Sequence, residues 1–142
     1  MLDERLPVKA IDKWHAFVTD RDIGALHHLL DPDVVFESPV VHTPQVGRDI
    51  TARYLVAAMQ VLGNEAFRYV GEWRNETGAV LEFATEIDGI SVNGVDIIRC
   101  SGDGERIVHF KVMVRPLKAI EVVRRQMAAL LAAAGGQAPP GA

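Results

Sequence analysis

The sequence predicts a single α+β domain: three helices near the start, a curved antiparallel sheet that they cover on one face, and a closing helix. Three observations lead there. The first sixty residues repeat apolar side chains at helical spacing, interrupted by one short β-rich stretch. After Gly63 the pattern changes to four consecutive runs with a period of two. Those runs are joined by Glu76-Thr77-Gly78, Asp88-Gly89 and Ser101-Gly102-Asp103-Gly104, connections so short that neighbouring strands must be antiparallel.

Each element has its own justification. Val8 to Thr19 carries Ala10, Ile11, Trp14, Phe17 and Val18 on one helical stripe. Asp22 is placed to cap a second, short helix whose expected buried side is Ile23, Leu26, Leu29 and Leu30, with Pro32 ending it. Val34 to Val41 is β-branched and aromatic and reads as a strand, with Pro39 and Pro44 keeping its far end out of a central position. The surrounding stretch, Asp33 to Gly47, is the hinge of the whole arrangement. Its alternation puts Phe36 and Ser38 on one face, where a ligand pocket is expected.

A third helix follows over about Asp49 to Leu62, with Ile50, Tyr54, Leu55, Ala58, Met59 and Leu62 on one side and Gly63-Asn64 as its stop. The meander then reads Phe67 to Asn75, Ala79 to Asp88, Ser91 to Cys100 and Ile107 to Arg115. Leu117 to Ala134 is an amphipathic helix with Ile120, Val123, Met127, Leu130 and Leu131 on its apolar side. One domain, residues 1–134, is expected, followed by a disordered tail over residues 135–142, GGQAPPGA.

The two faces of the sheet separate by parity. Leu81, Phe83, Thr85 and Ile87, with Val108, Phe110, Val112 and Val114, must face the helices. The opposite face carries Glu82, Glu86, Lys111 and Arg115 among Trp73 and Met113. It is either a solvated face or the interface of a homodimer, in which charges of both signs pair across two sheets.

Composition excludes several function classes. The net charge is −4 and no basic block occurs, which argues against nucleic acid as a partner. No apolar run is long enough to span a bilayer. The charged N-terminal stretch lacks a signal core, and the one cysteine, Cys100, can form no internal disulfide, so a cytoplasmic location is expected. His27 and His28 diverge on a helix and have no metal-ligand spacing with any Cys, Asp or Glu, so no metal is expected. Gly102-Asp103-Gly104 is a hairpin turn rather than a phosphate loop, since no helix follows it.

Three stretches carry a family resemblance: the helical region of Trp14, FESPVVHTPQVGRDITARYL, and NGVDIIRCSGDGERIVHFKVMVRP. With them the chain resembles the NTF2-like superfamily, and within it the SnoaL-like (polyketide cyclase-like) group; it is also similar to the ketosteroid isomerases. The resemblance covers about Val8 to Arg115. It implies a cone-shaped barrel with the three N-terminal helices on the concave face of the sheet, a pocket between helices and sheet, and a dimer through the outer face. It also implies chemistry without a cofactor, but not which reaction, because this scaffold hosts isomerases, cyclases, dehydratases and plain binding domains.

Ketosteroid isomerases use an aspartate base and an oxyanion hole of a tyrosine and a protonated aspartate. Along this chain Trp14 falls at the tyrosine, Ser38 at the base and Asp96 at the oxyanion aspartate. A neutral hydroxyl cannot shuttle a proton between two carbons as a carboxylate does, which argues against steroid double-bond isomerisation by that route.

Asp96 is therefore the leading candidate for acid/base chemistry, a lone acid among Val95, Ile97 and Ile98 whose surroundings should favour its neutral form. The alternative is an aspartate bonded to backbone near a strand end. His42 is the candidate second acid/base group if it reaches Asp96, and an exposed loop histidine if it does not. Ser38 is either a polar pocket group or a hydroxyl that stabilises the turn at Pro39. Trp14, Phe36, Tyr54, Met59, Phe83 and Phe110 are pocket wall or core, which sequence alone does not separate. The functions these residues support are acid/base chemistry on a small apolar carbonyl compound, non-catalytic binding of such a molecule, or a purely structural dimer module.

Overall fold

The computed structural model describes residues 8–133; residues 1–7 and the expected tail over 135–142 lie outside the described part. The elements in chain order are α1 (Val8–Asp20), α2 (Ile23–Leu29), β1 (Leu30–Glu37), β2 (Gln45–Val46), α3 (Arg48–Leu62), β3 (Arg68–Asn75), β4 (Gly78–Ile87), β5 (Ile90–Cys100), β6 (Ile107–Arg115) and α4 (Leu117–Ala133). The fold is α+β, as the helical and period-two patterns predict. The six strands form one sheet in the order β2-β1-β6-β5-β4-β3. The sheet is curved and does not close, so β2 and β3 are its edges.

The meander over β3 to β6 is antiparallel throughout. The pairing of β1 with β6 is parallel, with Phe36 opposite Phe110. The sheet is thus mixed rather than wholly antiparallel, because α3 and the meander carry the chain across the fold before β6 returns beside β1. The two-residue strand β2 pairs with β1 antiparallel and is too short to announce itself in the pattern.

Three local expectations are corrected. The strand predicted over Val34–Val41 starts and stops earlier, at Leu30–Glu37, and residues 38–44 form the loop. Pro32 does not end α2; the chain turns extended at Leu30, and Pro32 sits inside β1 where the register with β6 shifts, a place that needs no ladder N–H. Ile23, expected in the buried side of α2, is 57% exposed because it occupies the first turn, beyond the reach of the core. The expected cap does form: Asp22 Oδ1 accepts from the Ala25 N–H at 3.1 Å.

The core lies between the inner face of the sheet and the helices. Trp14, Phe36, Phe83 and Phe110 are its largest fully buried members. Rings join helix to sheet, with Trp14 edge-on to Phe110 at 4.7 Å and Phe110 6.1 Å from Phe36. Helix α4 packs on α3, β5 and β6 and so covers the inner face near β6. Gly94 has a packing reason: a Cβ there would come within 2.5 Å of the Phe83 ring. Among the described residues no helix is long and apolar enough to cross a membrane.

Candidate active site

Strand β5 alternates so that Val92, Gly94, Asp96, Ile98 and Cys100 point inward. A carboxylate is therefore delivered to the apolar side of the sheet by strand parity alone. Asp96 is 5% exposed. Burial raises its pKa from 3.8 to about 7, against an opposing pull from a hydrogen bond donated by Tyr69. The same burial raises the Cys100 thiol to about 11, so that group is a neutral core thiol at ordinary pH.

The Asp96 partner is a residue that sequence reasoning missed. Tyr69 Oη donates to Asp96 Oδ2 at 2.6 Å, and Trp14 Nε1 donates to Tyr69 Oη at 2.9 Å. Trp14 comes from α1, Tyr69 from β3 and Asp96 from β5, so three separate parts of the chain build one chain of hydrogen bonds. Burial pushes the Tyr69 phenol well above its usual range, the Asp96 charge and hydrogen bond push it further, and the indole N–H pulls the other way. No local signal marks Tyr69 in the sequence. Tyr69 and the exposed Trp73 share parity along β3, and only the register shift between Tyr69 and Gly71 turns Tyr69 inward, opposite Phe83.

On its outer side Tyr69 meets a charged cluster. The His15 ring stands edge-on to it at 5.3 Å, and His15 Nε2 lies 2.8 Å from Glu72 Oε1. Arg74 pairs with both Glu72 and Asp12. Burial raises and Arg74 and His15 lower the Glu72 carboxyl, with a net displacement downward.

Beside this network lies an apolar cavity of about 30 Å³ roofed by α4. Phe36, Tyr54, Val112, Val123, Met127 and Leu131 are among its walls, and Ser38 stands at its rim. That volume admits a water molecule but no substrate. Tyr54 is 3% exposed, and its hydroxyl has no hydrogen-bond partner; nor has the Thr51 hydroxyl one turn earlier in α3. Burial raises the Tyr54 phenol.

The other expected site residues fall as follows. Trp14, Met59, Phe83 and Phe110 are buried core. Ser38 Oγ accepts from the Val40 and Val41 N–H groups at 3.0 and 2.9 Å, so it holds the turn at Pro39. His42 is exposed and lines an open cleft of about 490 Å³ with Glu37, Lys111 and Met113. The structure does not bring it to Asp96. No group of three His, Cys, Asp or Glu side chains suited to a metal occurs among the described residues.

Residues 11–110 match the SnoaL-like domain. A steroid delta-isomerase from Pseudomonas aeruginosa is 32% identical, with a TM-score of 0.85 over 94% of this chain and 96% of that one. A bacterial protein with a cystatin-like fold from Silicibacter pomeroyi is 31% identical, with a TM-score of 0.79 over 87% and 85%. An NTF2-like protein from Mesorhizobium loti, 20% identical, has a TM-score of 0.67 over 82% and 96%, a likeness of fold alone. None of the curated proteins matches the chain.

Proposed function

The chain belongs to the SnoaL-like domain family, and from that premise we propose that it performs cofactor-independent acid/base chemistry on a small, uncharged, mostly apolar carbonyl compound, with Asp96 as the proton-transferring group. The observation that carries this reading is a buried carboxyl that titrates near pH 7 and holds a 2.6 Å bond from Tyr69. A group half ionised at neutral pH can both take a proton from the carbon beside a carbonyl and return it elsewhere. Isomerisation, cyclisation and elimination all share that step.

The apolar walls of the α4-roofed cavity favour an uncharged ligand, and a second anion beside Asp96 would be repelled. The partnerless Tyr54 hydroxyl is the donor we assign to the ligand oxygen. Asp96 and the cavity wall meet at Val112, the cross-strand partner of Asp96. A substrate needs more room than the cavity has, so α4 must shift for one to enter. Ser38, committed to two backbone N–H groups, supplies no base, which argues against the steroid isomerase mechanism despite the Pseudomonas likeness.

The test is hydrogen–deuterium exchange at the carbon next to the carbonyl in a panel of neutral cyclic ketones, a β,γ-unsaturated steroid ketone among them. The chain should accelerate exchange for at least one, and Asp96→Asn should slow it by roughly 100-fold or more. Equal rates for the two proteins would remove Asp96 from the chemistry.

The second reading is non-catalytic binding of the same class of molecule. It draws support from the small apolar cavity, whose walls do not include Asp96. A ketone that raises the melting temperature without exchanging its protons would decide for it. Under either reading we propose a homodimer through the outer sheet face, where Trp73 and Met113 are 60% and 50% exposed between acidic and basic side chains.

A further inference from the structure

We propose that Tyr69 is a positioning residue for Asp96: it relays the indole N–H of Trp14 to Asp96 Oδ2 and so assigns Oδ1 as the working oxygen of the acid/base site. The inference rests on the reading that Asp96 transfers protons, and it names the residue and the atom through which that would happen.

The direction of the relay is forced by donor chemistry. An indole N–H can only donate, so Tyr69 Oη must accept at that contact, 2.9 Å away. The phenolic hydrogen is then committed to Asp96 Oδ2, 2.6 Å away, a distance typical of a charge-assisted O–H···O bond. Oδ2 is occupied by a hydrogen it does not own. When the carboxyl takes up a proton, that proton belongs on Oδ1, which makes no hydrogen bond among the described residues.

The relay is also held still. The Trp14 ring is wedged between Phe17 at 5.5 Å and Phe110 at 4.7 Å. The Tyr69 ring is flanked by Phe67 at 5.1 Å and His15 at 5.3 Å. Neither ring can follow a moving carboxyl, so the Tyr69 hydroxyl fixes the plane of Asp96. The cross-strand neighbours of Asp96, Leu81 on β4 and Val112 on β6, are apolar and compete for nothing. The charged groups nearby, Glu72, Arg74 and His15 with Asp12 behind them, gather on the far side of Tyr69 and are paired with one another. Tyr69 therefore stands between a hydrated charge cluster and an isolated acid, and it is the one donor the acid has among the described residues.

The experiment is a carbon-13 titration of the aspartate carboxyls in the full chain, with the Asp96 signal identified by its loss in Asp96→Asn. Tyr69→Phe keeps the ring and removes the donor, so the Asp96 midpoint should rise by about one pH unit or more. Trp14→Phe, acting through Tyr69, should move it the same way by less. Fluorotyrosine placed at position 69 leaves the fold untouched and is a stronger donor, so it should lower the midpoint. A midpoint that stays put with fluorotyrosine, or in a natively folded Tyr69→Phe, overturns the relay. None of these titrations needs a substrate. Lack of exchange activity with a responsive midpoint would sink the proposed function and leave the relay standing; activity that needs Asp96 beside an unresponsive midpoint would do the reverse.

Discussion

Asp96 and Val112 face each other across β5 and β6, so a carboxyl and an isopropyl group lie side by side on the inner face of the sheet. Val112 also forms part of the cavity wall under α4. The acid is thus one cross-strand step from the apolar hollow.

The buried acid makes folding stability depend on pH. The folded chain keeps the Asp96 proton up to about pH 7, whereas the unfolded carboxyl releases it near 3.8. Between those values the folded state binds one proton more, so this contribution is complete below about pH 4 and is lost as pH rises through 7. The full loss is on the order of 4 kcal/mol. Asp96→Asn abolishes the titration, so the melting temperature of the variant relative to the parent should climb from about pH 4 to about pH 7 and level off above. A difference that stays flat across that range would mean that Asp96 is ionised throughout.

Phe110 bridges helix and sheet at 1% exposure. Phe110→Ala should cost about 3–5 kcal/mol in urea unfolding, the usual range for an aromatic removed from a packed core. The loss should be accompanied by a changed Trp14 fluorescence, because the indole packs edge-on against this ring at 4.7 Å. A cost under about 1 kcal/mol would mean that neighbouring side chains collapse into the space.

Arg21 ties the ends of two helices together. It sits at a φ of 59° and donates to the carbonyls of Val18, Met59 and Gly63 at 2.7, 3.2 and 2.9 Å. A cation among helix C-terminal carbonyls is favourable both as a donor and against the dipole. Since the side chain is exposed, Arg21→Ala should cost only about 1–2 kcal/mol by urea unfolding. Hydrogen exchange should speed up in the last turns of α1 and α3, and unchanged exchange there would remove this role.

The proposed dimer predicts that Trp73→Arg combined with Met113→Glu gives a monomer in sedimentation at micromolar concentration while the parent sediments at twice that mass. Both positions lie on the outer face and point away from the core, so the pair should leave the circular dichroism spectrum unchanged. A monomeric parent would end the proposal.

The helices and the meander were legible in the sequence because their signals are local. Three-to-four spacing in α1, α3 and α4 and strict alternation in β4 to β6 report which side chains avoid water, whatever they later touch. Asp96 was legible as a lone acid among the apolar neighbours Val95, Ile97 and Ile98. For Ser38 and His42 the sequence left two readings each, because residues 38–44 leave the strand and alternation carries no meaning once the backbone turns; Ser38 both holds the turn and stands at the cavity rim, and His42 is exposed in the loop. Tyr69 gave no sign of its role: a tyrosine in a strand is ordinary, and its importance lies entirely in what stands across from it.

From the order of its residues alone this chain determined that it would be α+β, which faces its strands would bury, and that one acid would be carried inward. Those are consequences of backbone periodicity and of the cost of exposing apolar surface, both of which act within a few residues. Only the tertiary structure decided that Trp14, Tyr69 and Asp96 meet, that β1 lies parallel to β6, and that α4 roofs the cavity. Contacts between residues tens of positions apart depend on distances and directions that no local pattern records.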